Sequence, residues 1–144
     1  MYTKIKSRLF LCLLLALFTG AVSCKRSKNT GALEERVFVV TIAPGDEKIR
    51  GYLDHHQHIW PEVEAGFKKA GYKKITLSRF DHLVVMSILV PRGANLDSMS
   101  KVAESYDKRC AEWNRLMDTY QLGVPGTAPG QKWVEVKPFY TFEH

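Results

Sequence analysis

Apolar positions along the chain fall into two rhythms. Arg36–Ala43 reads RVFVVTIA, β-branched and nearly unbroken, and Pro44-Gly45 ends it. Such a run predicts a strand packed at least partly on both faces. Asp46–Ala70 follows with a three- and four-residue rhythm: Tyr52, His56, Ile59, Val63, Phe67 and Ala70 form one helical stripe. Pro61 lies inside that pattern, lacks an N–H for the Gln57 carbonyl, and predicts a kink or a restart. Gly71 is placed to cap the C-terminus.

Lys73–Phe80 and Leu83–Pro91 read as two strands joined at Asp81-His82, short enough for a hairpin. After a loop at Arg92–Asn95, with Asp97 or Ser98 as N-cap, Ser98–Tyr120 predicts one helix. Its stripe is Met99, Val102, Tyr106, Cys110, Trp113, Met117 and Tyr120. Leu122–Gly130 is rich in Gly and Pro and reads as loop. Trp133–Phe142 reads as a last strand in which Pro138 implies an edge, a bulge or a break. The order β-α-β-β-α-β predicts an α+β, ferredoxin-like domain: a four-stranded antiparallel sheet with both helices on one face. The other sheet face keeps many apolar side chains, which implies pairing sheet-to-sheet with a second copy.

The N-terminus follows a different rule. Lys4, Lys6 and Arg8 precede Leu9–Thr19, an apolar run of 11 residues. A bilayer span needs roughly 20 apolar residues, so this run fits a signal peptide instead. It closes on Gly20-Ala21-Val22-Ser23-Cys24, which resembles a lipoprotein cleavage box. On that reading residues 1–23 are removed, Cys24 is lipidated, 24–35 is a flexible tether and 36–144 is the folded domain. The product is exported and anchored to a membrane, periplasmic or at the cell surface.

Charge and cysteines narrow the chemistry. Half of the net +6 belongs to the three leader residues, and no acid occurs before Glu34. The remaining charges are interspersed, which describes a solvated surface and no nucleic-acid stripe. Of three cysteines only Cys110 lies in the domain, which excludes an internal disulfide and a cysteine-built zinc site. Cys110 suits a buried small hydrophobe.

Gly51–Glu62, GYLDHHQHIWPE, concentrates the candidate chemistry. His56 lies one turn after Tyr52, so both face one side. Histidine titrates near 6.5 and supplies acid or base at neutral pH; the bland alternative is a stripe residue hydrogen-bonded at the helix break. His55 and His58 have a metal-compatible spacing without an obvious third ligand and read as surface residues. Trp60 and Pro61 read as kink and packing, and His82 as part of a turn.

The string Tyr52-x-x-x-His56-x-x-Ile59-Trp60-Pro61-Glu62-x-Glu64-Ala65 resembles the L-rhamnose mutarotase family, small dimeric α+β-barrel enzymes. Gly71, the hairpin strands and a helix bearing Trp113 fall in that family's order, over residues 36–142. The resemblance implies exchange of the α and β anomers of a pyranose, with no metal or organic cofactor, in a homodimer. It places the proton-donating histidine on His56 and a substrate-contacting tyrosine on Tyr52. The family's Trp-Trp pair falls on Glu112 and Trp113, and a second tyrosine falls near Ile75, with Tyr72 a substitute. Two of five pocket positions therefore differ. A non-catalytic carbohydrate-binding lipoprotein is the alternative reading.

Overall fold

The structure is a computed structural model and describes residues 31–144. The leader, its cleavage point and Cys24 lie outside the described residues. Strand β1 (Leu33–Ile42) is followed by helices α1 (Asp46–Gln57) and α2 (Pro61–Ala70), strands β2 (Lys74–Phe80) and β3 (Leu83–Pro91), and helices α3 (Leu96–Glu104) and α4 (Lys108–Asp118). Two short strands, β4 (Gln121–Leu122) and β5 (Val134–Val136), complete the order. The sheet is antiparallel and runs β2-β3-β1-β4, with β5 also on β1. β4 pairs Thr41 and Ile42, and β5 pairs Val37–Val39, so two short strands share the fourth position across the sheet.

Alternation in the strands sorts the two faces. Val40 and Ile42 of β1 and Val84, Ile88 and Val90 of β3 are buried beneath the helices. Tyr52, Val63, Trp113 and Met117 close one core cluster on them, and Met99 joins a second with Ile88 and Val90. All four helices thus pack on one face. The other face carries Val37, Val39, Val85 and Val134, all partly exposed, and the exposed Leu83, Leu122 and Val136.

Each expected helix is broken once. Pro61 restarts the first: Trp60 is extended (φ −66°, ψ 134°), as a residue before proline prefers, and Pro61 opens α2. Gly71 takes the left-handed C-cap at φ 98°. The second break, at Ser105–Asp107, is not carried by a proline. The Asp107 carboxylate accepts from the Arg109 N–H at 2.8 Å and starts α4 afresh. A polar side chain has outcompeted helix continuation there, and Val102 and Tyr106, expected in the stripe, are exposed. The α3 N-cap is Asn95, accepting from Ser98 N–H at 2.9 Å, instead of Asp97 or Ser98. The last strand is much shorter than Trp133–Phe142. It ends before Pro138, and Phe139, Tyr140 and Phe142 stand in solvent. No helix among the described residues is long and apolar enough to cross a membrane.

Candidate active site

Between sheet and helices runs an open cleft of about 1450 Å³. Tyr52, His56 and Trp113 line it from α1 and α4, and Ile75, Leu77 and Met86 from the sheet. Tyr52 is 2% exposed and lies one helical turn before His56. The His56 Nδ1–H donates to the Tyr52 backbone carbonyl at 2.8 Å. A carbonyl only accepts, so this bond puts the proton on Nδ1 and leaves the Nε2 lone pair available in the neutral ring. Burial is the main influence on His56 and lowers its pKa. The bond to Tyr52 opposes this, and the neighbouring His55 adds to it. Burial likewise raises the pKa of the Tyr52 phenol.

Aromatic rings frame the pair. The Tyr52 and His56 ring centroids are 4.2 Å apart, and the Trp113 ring meets His56 edge-on at 5.4 Å. Trp60 stands behind, edge-on to Trp113 at 5.4 Å, with the Arg109 guanidinium 4.0 Å above its face. Arg109 Nε in turn lies 3.5 Å from Glu62 Oε2. Trp60 therefore links the helix break to the wall of the cleft.

Ile75 lines the cleft, as does Tyr72, whose phenol pKa burial raises. Glu112 is half-buried but does not line the cleft. Of the candidate pocket residues, Glu112 is the one that the cleft lining does not include. His55 Nε2 pairs with the Tyr120 hydroxyl at 3.1 Å, and His58 is exposed beside Asp54. Among the described residues no group of three His, Cys, Asp or Glu side chains could hold a metal ion. Cys110 is a buried free thiol, within 3.3 Å of the Glu62 carbonyl. Gln121, a buried polar residue, also lines the cleft, and its sequence surroundings carry no signal for that role. It sits beside a Gly/Pro-rich loop, and no periodic signal surrounds it.

The family model for L-rhamnose mutarotase matches residues 36–142. The chain belongs to the L-rhamnose mutarotase family. An L-fucose mutarotase from Xanthomonas campestris pv. campestris is 37% identical over 78 residues, 54% of this chain. That match spans 61% of the relative's own length. The crystal structure of an L-rhamnose mutarotase from Formosa agariphila superposes with a TM-score of 0.53 at 14% identity, covering 76% of this chain and 99% of that one. At that identity it supports the fold alone, and the mixed α/β plan with an antiparallel sheet agrees with it.

Proposed function

We propose that this protein is a sugar mutarotase that opens and recloses the ring of a 6-deoxyhexose of the rhamnose or fucose type. The observation that carries the reading is the His56–Tyr52 pair in the cleft, within a family whose members bear that name. Neutral His56 takes the proton of the anomeric hydroxyl on Nε2. The O1–C1 bond becomes a carbonyl, the C1–O5 electrons pass to the ring oxygen, and the Tyr52 hydroxyl protonates it. Rotation about C1–C2 presents the other carbonyl face, and the reversed steps give the other anomer. In the ring-open state an imidazolium and a phenolate lie side by side, each favouring the other's charge. Trp113 gives the apolar face of the sugar a platform.

The leader supports export and a lipid anchor at Cys24, and the uncovered sheet face supports a homodimer. The anchor is tested by Cys24→Ala, which is expected to release the protein from the membrane fraction. The activity is tested by anomeric-exchange NMR with L-rhamnose and L-fucose. Acceleration of either supports the reading; exchange at the spontaneous rate in both, with binding retained, favours the non-catalytic carbohydrate-binding alternative.

A further inference from the structure

Gln121 is 8% exposed, a polar side chain within an otherwise apolar core. Its strand, β4, is two residues long, and Gln121 pairs with Ile42 of β1. Paired residues share a sheet face, and Ile42 faces the helices with Val40. The register thus sends the carboxamide under the helix layer, into the cleft that Tyr52 and His56 line. Ile42 and Tyr52 belong to one core cluster, and the ring of Tyr120, the residue before Gln121, stands 6.2 Å from the Tyr52 ring, so carboxamide and phenol share that space. A buried amide without a partner costs free energy, and the phenol that lines the same cleft is the group that ring opening needs.

A phenol has one proton to give, whereas a carboxamide both donates and accepts. If Tyr52 donated to Gln121 Oε1, its proton would be spent inside the protein. If Gln121 Nε2–H donates instead, that proton is free for a substrate oxygen. We propose that Gln121 is a positioning residue: its Nε2–H donates to Tyr52 Oη and leaves the hydroxyl proton directed at the ring oxygen of the sugar. The same donor stabilises the phenolate formed as the ring opens, opposing the effect of burial on that group. The sugar half of this inference rests on the mutarotase reading; the Gln121–Tyr52 contact does not.

Two variants of the full chain test it, Gln121→Met and Gln121→Glu, with thermal melting to follow the fold. The first readout needs no sugar. Ring-carbon NMR of isotope-labelled tyrosine, assigned with Tyr52→Phe, is expected to show Tyr52 ionising at higher pH in Gln121→Met; an unmoved titration overturns the contact. The second is anomeric exchange. Gln121→Met is expected to lose roughly tenfold in kcat, the scale of one hydrogen bond, with KM unchanged. Gln121→Glu is expected to be slower still at neutral pH, because a carboxylate captures the Tyr52 proton, and to recover as acid protonates it. Equal losses in both variants that follow their melting temperatures, without recovery in acid, overturn the proposal. If the wild type exchanges neither sugar, the mutarotase reading fails and with it the sugar half of the proposal, while the titration still decides the contact.

Discussion

Tyr52 holds His56 twice. Its backbone carbonyl accepts the Nδ1–H at 2.8 Å, and its ring lies 4.2 Å from the imidazole at a tilt of 41°. One residue thus fixes the tautomer of the imidazole and, in the proposed mechanism, supplies the neighbouring acid. The arrangement needs only helical spacing, since residues four apart stand on one face.

Removing either group should therefore slow the reaction on its own. His56→Ala and Tyr52→Phe are each expected to lower kcat/KM about 10²–10⁴-fold, the usual worth of a positioned acid or base. The double variant should fall well short of the product of the two, because the groups act in one proton exchange. Exchange NMR on the three proteins measures this. Full activity in His56→Ala would falsify the assignment.

pH supplies a second test. Burial lowers the His56 pKa from its usual 6.5, so the base stays neutral into mild acid. The acid limb of kcat/KM is expected below about 6.5. Stability moves with it. At pH above both values the two states bind no proton at this site. As pH falls below about 6.5 the unfolded chain takes up a proton that the folded site refuses, so stability declines until the folded pKa is reached. His56→Gln is expected to flatten that part of the decline in denaturant titrations at successive pH values.

The fold was legible where periodicity was strong. The hairpin, the Gly71 cap and the restart at Pro61 follow from φ restrictions and apolar rhythm alone. The break at Asp107 was hidden because an apolar stripe ran through it, and the winning interaction was one carboxylate on one N–H. β4 was invisible for the opposite reason: two residues carry no rhythm, and their place is set by Thr41 and Ile42. The site divides the same way. Tyr52, His56 and Trp113 meet in the cleft as spacing on two helices implies, whereas Gln121 arrives by strand pairing and Glu112 lies outside the lining.

Arg109 is expected to act on the cleft at a distance. Its guanidinium covers Trp60, which meets Trp113 edge-on, and Trp113 borders His56. Arg109→Ala removes both the cation–π contact and the partner of Glu62. A loss of about 1–2 kcal/mol in stability is expected, with a several-fold rise in KM as the Trp113 platform loosens. Arg109→Lys should restore the charge but little of the KM, since an ammonium cannot cover the indole as the planar group does. Steady-state exchange kinetics and denaturant melts separate the two effects.

At Gly66 helix α2 approaches α3 closely. A Cβ there would lie 2.8 Å from the Ala103 carbonyl oxygen and 3.2 Å from Cys110 Sγ. The first neighbour is backbone, so α2 and α3 would have to separate. Gly66→Ala is expected to cost about 1–3 kcal/mol despite the better helix propensity of alanine. A denaturant titration that shows stabilisation would mean the two helices can move apart freely.

The helices leave one face of the sheet uncovered. Ser78, Val85, Val39 and Val134 form one row across the sheet, and Thr76, Ser87, Val37 and Val136 the next. Of the valines in these rows Val37, Val39, Val85 and Val134 are half-buried and Val136 is exposed. Such an apolar surface is well covered by a second sheet packed about 10 Å away. Val85 sits inside the row, with Val39 on one side and Ser78 on the other, and its side chain points away from the core that Val84 fills. An arginine there should leave the single domain folded, because the helix-facing layer is untouched, yet place a charge in the middle of the pairing surface at a cost of several kcal/mol. Sedimentation is expected to show a dimer for the wild type and a monomer for Val85→Arg, with unchanged circular dichroism. A wild type that sediments as a monomer at micromolar concentration removes the dimer, and leaves this face to be explained by some other contact.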